Sequence, residues 1–267
     1  MNYTDPRLES FGRLLKIMDE LREQCPWDKK QTIESLRHLS IEEVYELSDA
    51  ILDQQPEALK KELGDVLLHI VFYSRIASEK NWFNIQDVIE ALCKKLIERH
   101  PHIYGTVDGE LKQVNNEEDV KQNWEKLKLR EGNRSALSGV PNSLPALIKA
   151  YRMQEKASGV GFDWEKPEQV WEKVEEELRE LRQEVEQGSE QERIAKELGD
   201  VFFSLVNYAR LIGVNPEDAL EYTNRKFVFR FRYLEDKVRE SGRQLSDLNL
   251  EQMDLFWNEA KKLKGGI

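Results

Sequence analysis

The sequence predicts an all-helical fold built from two tandem copies of one carboxylate-rich unit, and three observations carry that expectation. Apolar residues recur at helical spacing along almost the whole chain, as in Phe11, Leu14, Leu15, Met18 and Leu21. Only 14 Gly and 8 Pro interrupt 267 residues, and no stretch alternates as a strand would. The hexapeptide KELGDV occurs at 61–66 and again at 196–201, each time after a Glu-rich segment and before an apolar one.

Taken in order, the opening segment MNYTDPRLESFGRLLKIMDELREQ reads as a charged amphipathic helix. Breaks are expected at Cys25-Pro26-Trp27-Asp28, near Pro56, at Asn81-Trp82, around Pro101, at Gly159-Val160-Gly161 and at Asn215-Pro216. They divide each half into several helices whose short connections favour antiparallel neighbours. The segment EGNRSALSGVPNSLP is the longest run of punctuating residues. The expected organisation is therefore a first repeat at 1–130, a linker at 131–145 and a second repeat at 146–267.

Charge and cysteine content narrow the function. A net charge of -11, from 51 acidic and 40 basic residues, argues against a protein that coats nucleic acid by neutralising phosphates. With only Cys25 and Cys93, neither a disulfide framework nor a cysteine zinc site is expected. No apolar leader or membrane span is apparent, so the expected location is the cytoplasm.

The two halves share chemistry-bearing residues as well as core pattern. IEEVYEL at 41–47 answers EEELREL at 175–181, so Glu43, Glu46, Glu62 and Asp65 correspond to Glu177, Glu180, Glu197 and Asp200. Residues three apart lie on one helix face, and two such helices packed antiparallel converge their acids. Hard carboxylate oxygens in that arrangement suit Mg2+ or Mn2+. In so charged a chain a single Glu-x-x-Glu reads first as a solvated surface. The second pair argues otherwise, because Leu63, Val66, Leu67, Leu68, Ile70 and Val71 surround Glu62 and Asp65. That helix is expected to be largely buried, and a buried acid needs a cation, a metal or a proton. Glu62, Asp65, His69 and Phe72 share one narrow face.

A di-iron bundle would need Glu-x-x-His pairs, and there are none. All four histidines (His38, His69, His100 and His102) fall in the first half, so histidine is dispensable to whatever chemistry the repeats share. For the phosphates of a metal-bound ligand, Lys226 and Arg230 lie one turn apart, and Lys95 and Arg99 repeat them. Asn224 shares their helix. Trp257 with Lys261, repeated as Trp124 with Lys128, can place a ring beside an ammonium, although a Trp on such a helix also serves as core. There is no P-loop and no dinucleotide fingerprint.

The order CPWDKKQT, IEEVYEL, KELGDV, ERHPHIYG, NWEKLK, VGFDW, EEELREL, KELGDV resembles a two-repeat member of the MazG family of nucleoside triphosphate pyrophosphohydrolases, over nearly the whole chain. The resemblance implies two four-helix-bundle repeats, a homodimer, dependence on Mg2+, and cleavage of many NTPs and dNTPs to the monophosphate and pyrophosphate. It also implies metal ligands at Glu177, Glu180, Glu197 and Asp200, and nucleotide contacts from the Lys173–Glu177 stretch, Lys226, Arg230, Trp257 and Lys261. The expected reaction is in-line attack of a metal-activated water on the α phosphorus, with Glu176 or Glu177 taking the proton and Lys226 and Arg230 meeting the leaving pyrophosphate. Two other readings fit the residues: a non-catalytic regulatory module that binds nucleotide or a protein partner, and a narrow-specificity dUTP- or dCTP-type pyrophosphatase. The second repeat is expected to carry most of the turnover.

Overall fold

The computed structural model describes residues 5–105, 120 and 135–263, which form ten α-helices and two short 3-10 turns without a strand. The chain divides into two compact units, Met1–Leu111 and Lys112–Ile267, each considered by itself. Residues 131–134 of the expected linker, and Trp124 and Lys128, lie outside the described residues.

The first unit contains α1 (Pro6–Gln24), α2 (Ile33–Leu52), α3 (Pro56–Glu79), α4 (Ile85–Arg99) and the single turn α5 (Pro101–Tyr104). Its boundaries follow from local chemistry. Thr32 opens α2 with a capping box, its hydroxyl accepting from the Ser35 amide while Ser35 Oγ accepts from the Thr32 amide. Pro56 and Pro101 occupy first-turn positions where a missing N–H costs nothing. Asn81, at φ 54°, lets the chain leave α3 through the left-handed region that asparagine tolerates. The core joins Met18 of α1, Leu36 of α2 and Val71, Phe72 and Ile76 of α3. Burying each such side chain contributes about 1.5–3 kcal/mol. Arg75 pairs with Asp19 at 2.7 Å and Arg22 with Glu79 at 2.8 Å, tying α3 to α1.

The second unit contains α6 (Ala146–Gly159), α7 (Pro167–Glu186), α8 (Gln191–Leu211), α9 (Pro216–Glu240) and α10 (Leu250–Ala260). Pro167 and Pro216 again open helices, and Gly161 turns the chain at φ +89°. Val170 and Val174 of α7 and Val201 and Val206 of α8 are buried, and Gln154 of α6 donates to the Phe203 carbonyl at 2.9 Å. Leu234, Val238 and Leu248 form a separate small core where α9 meets α10.

The burial expected around KELGDV is corrected. Leu63, Leu67, Leu68 and Ile70 of α3 are exposed in the single chain, and only Glu62 and Val71 of that neighbourhood are buried. Spacing identifies an apolar stripe without saying what covers it. The intramolecular partner of α3 takes the Val71–Phe72–Ile76 side, and the remaining stripe faces outward. Cys93 is likewise exposed on α4.

Candidate functional site

Each unit gathers acids from the two helices of one hairpin. In the first, α2 supplies Glu43 and α3 supplies Glu62 and Asp65, with one carboxylate oxygen from each lying within 4.8 Å of the others. In the second, α7 supplies Glu177 and α8 supplies Glu197 and Asp200 within the same distance. The hairpin aligns them because the residues after the Glu-x-x-Glu helix turn back through short loops, at 53–55 and 187–190.

Glu46 and Glu180 fall outside these close sets, but their charges reach them. Burial first, and then the Asp65, Glu46 and Glu62 carboxylates, push the Glu43 carboxyl up. Burial and the carboxylates of Glu180, Asp200, Glu177 and Glu184 do the same to Glu197. Three to four anions crowded in this way favour protons or a cation.

The cations present do only part of that work. Lys61 hydrogen-bonds Glu62 at 2.9 Å and lies 3.6 Å from Asp65, which pushes its ammonium pKa up. Lys173 binds Glu176 at 2.8 Å and Glu177 at 2.7 Å, pushing the ammonium up and holding the Glu176 carboxyl below the usual range. Glu62 and Glu177 are 7% and 6% exposed, the two most buried acids of the chain's described residues. Glu62 Oε2 is buried with no hydrogen-bond partner. An unmet buried carboxylate oxygen costs several kcal/mol, so an all-oxygen set with one oxygen unmet fits a hard divalent cation.

The basic and aromatic candidates form a second group. Lys226 and Arg230 are half-buried on α9, and Lys226 makes no ion pair with any described residue. Arg230 lies 5.7 Å from the centre of the Trp257 ring, which packs edge-on against Phe227 at 5.2 Å. Trp257 therefore stands beside Arg230 and not Lys261, whose ammonium donates to Asn258 at 3.2 Å. Asn224 is exposed and donates to Glu221 at 3.2 Å. In the first unit Lys95 is exposed on α4 and Arg99 is half-buried at its end.

Sequence reasoning missed three features. Lys61 is part of the repeated hexapeptide, yet its pairing with Glu62 needs the rotamers. Ser40 Oγ lies 2.9 Å from His69 Nδ1 and 2.7 Å from the Tyr73 hydroxyl, a network beside the first acid cluster that no repeat signalled. Asp28 lines a cavity there, together with Glu43 and His69; its signal was the Trp27-Asp28 doublet answered by Phe162-Asp163.

Residues 31–104 and 165–234 each match the MazG nucleotide pyrophosphohydrolase domain. The chain is 44% identical over 256 residues to the nucleoside triphosphate pyrophosphohydrolase/pyrophosphatase MazG of Thermotoga maritima, covering 94% of this chain and 95% of that protein. It is 38% identical over 263 residues to the nucleoside triphosphate pyrophosphohydrolase of Escherichia coli K12, covering 96% of this chain and 98% of that one. Both matched regions carry a complete acid cluster, and the chain belongs to the MazG nucleotide pyrophosphohydrolase family.

Proposed function

We propose that this protein hydrolyses nucleoside triphosphates, ribo- and deoxyribo- alike, to the monophosphate and pyrophosphate at the second acid cluster, with Mg2+ as its physiological cation. The observation that carries the reading is the convergence of Glu177, Glu197 and Asp200 around a buried carboxylate, on a hairpin whose first helix also presents Glu176 and Lys173. Glu180 completes the ligand set. A divalent cation held there supplies charge neutralisation on the phosphates and a more acidic water; Mn2+ can substitute, having the same taste for oxygen ligands.

The chain's own groups do the rest. A carboxylate of the Glu176–Glu177 pair takes the proton of the attacking water, and the Lys173 hydrogen bond keeps Glu176 ionised for that task. Water oxygen bonds to the α phosphorus, the bond from that phosphorus to the αβ bridging oxygen breaks, and pyrophosphate leaves with the electron pair. Lys226, free of any described carboxylate, and Arg230 offset the charge of the leaving group, and Trp257 supports Arg230 and the nucleotide. Glu43, Glu46, Glu62 and Asp65 hold a second cation without carrying most of the turnover.

The working form is a homodimer. Leu63, Leu67 and Ile70 on α3, Leu92 and Leu96 on α4, and Phe202, Leu205, Phe227 and Phe231 on α8 and α9 are all exposed in the single chain. An apolar surface of this extent calls for a covering partner, and a second copy presents the same stripes. No described helix is long and apolar enough to cross a membrane, and both cysteines are free, which suits a cytoplasmic enzyme. The net charge of -11 speaks against nucleic acid as a partner.

Chromatography of the products tests this directly. With Mg2+ and a panel of NTPs and dNTPs, NMP and pyrophosphate are expected from most of them. NDP with orthophosphate would place the cut at the γ phosphate and refute the proposal, and a single accepted substrate would make the enzyme a specialist.

A further inference from the structure

A cavity of about 220 Å³ opens beside the first acid cluster. Buried Leu36 and Phe72 line it, half-exposed Trp27 contributes an indole, and Asp28, His69 and Glu43 supply its polar wall. It is smaller than the roughly 300–1,000 Å³ that takes a drug-sized molecule, and so has the scale of one ring system. Glu43 belongs to both the cavity and the carboxylate cluster. A molecule with a ring in the cavity therefore carries its next groups toward the acids.

Two carboxylates, Asp28 and Glu43, dominate the polar wall, with His69 as its third member. Ser40 Oγ lies 3.0 Å from the Leu36 carbonyl, 2.9 Å from His69 Nδ1 and 2.7 Å from the Tyr73 hydroxyl, a network that engages the Nδ1 side of the His69 ring. Burial pushes the His69 pKa down. No described residue hydrogen-bonds the Asp28 carboxylate; Arg22 takes only the Asp28 backbone carbonyl. The second repeat differs at this point. Arg210 there donates to Asp163 at 2.9 Å, engaging the corresponding carboxylate, whereas its counterpart Arg75 turns to Asp19 at 2.7 Å and Glu79 at 3.2 Å. Ser204 and Asn207 also replace His69 and Phe72.

We propose that this cavity is a base-binding pocket and that the first repeat binds a guanine nucleotide, its base between Trp27, Asp28 and His69 and its phosphates at Glu43, Glu62 and Asp65. Guanine is the common base whose adjacent N1–H and N2–H donors match the two oxygens of one carboxylate. Stacking on an indole contributes without regard to the base, so selectivity falls to Asp28. The proposal rests on the metal–phosphate reading of the acid clusters, and it makes the first repeat a nucleotide site distinct from the one that turns over.

The test is calorimetric titration of the full chain, in Mg2+, with the α,β-methylene analogues of GTP and CTP, which resist cleavage at the scissile position. The GTP analogue is expected to fill two sites per chain and the CTP analogue one. Asp28→Asn and Trp27→Ala each weaken one of the two GTP-analogue sites about tenfold or more, and Trp27→Phe, which keeps a ring, retains it. One site for both analogues in the wild-type chain, or two sites indifferent to Asp28→Asn, overturns the proposal. Pyrophosphate release by the wild-type chain is measured alongside. Turnover without an Asp28-dependent site defeats this inference alone, while an Asp28-dependent site without turnover supports it and defeats the hydrolase reading.

Discussion

In the first repeat the ammonium that meets the buried glutamate comes from the same helix, Lys61 beside Glu62 on α3. In the second the buried glutamate is Glu177 on the other helix of the hairpin, α7, and Lys173 of that helix holds it together with Glu176. The corresponding positions do not keep these roles. Leu39 stands where the second repeat has Lys173, and Lys196, the counterpart of Lys61, pairs with Glu192 at 2.8 Å instead. Duplication has thus kept the three converging acids and let the cations around them diverge. The difference matters chemically, because a lysine one turn before a Glu-Glu pair can hold one carboxylate ionised beside the cluster while the other faces into it. The first repeat has no equivalent, and Glu62 Oε2 is left unmet.

The largest expected effect concerns what both repeats share. Removing divalent cations with EDTA should lower pyrophosphate release by on the order of a thousandfold, because a Lewis acid on a phosphoryl group is worth several kcal/mol. Mg2+ or Mn2+ should restore it, and full turnover in excess chelator would show that the acids serve no metal. Next in size is the divergent cation. Lys173→Gln should cut kcat/KM about tenfold through a misplaced Glu176–Glu177 pair, whereas Lys61→Gln should change it less than about twofold. Equal losses would erase the distinction between the repeats.

A smaller effect follows from the raised Glu43 and Glu197 carboxyls. Just above the ordinary glutamate range, the metal-free folded chain holds protons at these sites that the unfolded chain has released. Their contribution to stability therefore falls as pH rises through that window. A cation needs the ionised forms and competes with those protons, so the gain in Tm from added Mg2+ should be a few degrees near neutral pH and shrink toward pH about 5. Melting curves with and without Mg2+ decide it; a gain that grows on acidification has the wrong sign.

Much of this molecule could be read from its sequence. Helical class, the duplication and the helix breaks at Pro56, Asn81, Pro101 and Asn215-Pro216 follow from local chemistry, and the helices begin or end there. The approach of Glu43 to Glu62 and Asp65, and of Glu177 to Glu197 and Asp200, was legible because it follows from i, i+3 spacing on two repeated helices, whereas Glu46 and Glu180 lie outside those sets. The covering of α3 was not, since periodicity marks Leu63, Leu67 and Ile70 as apolar without saying whether the same chain covers them. Nor was the choice between Lys61 and Lys173, which depends on how each lysine sits against the hairpin. Trp257 beside Arg230, rather than Lys261, shows the same limit, because a contact between two helices has no fixed spacing in sequence.

Paired substitutions test most directly whether the second acid cluster performs the cleavage. Pyrophosphate release is measured under saturating NTP and Mg2+ for Glu180→Gln and Asp200→Asn against Glu46→Gln and Asp65→Asn, with dimer content checked by sedimentation. Each change keeps side-chain shape and removes one ligand charge. The second-repeat variants are expected to lose release and the first-repeat variants to keep most of it, all as dimers. Loss in the first-repeat variants with activity kept in the second would contradict the assignment and move the chemistry to the Glu43–Glu62–Asp65 cluster.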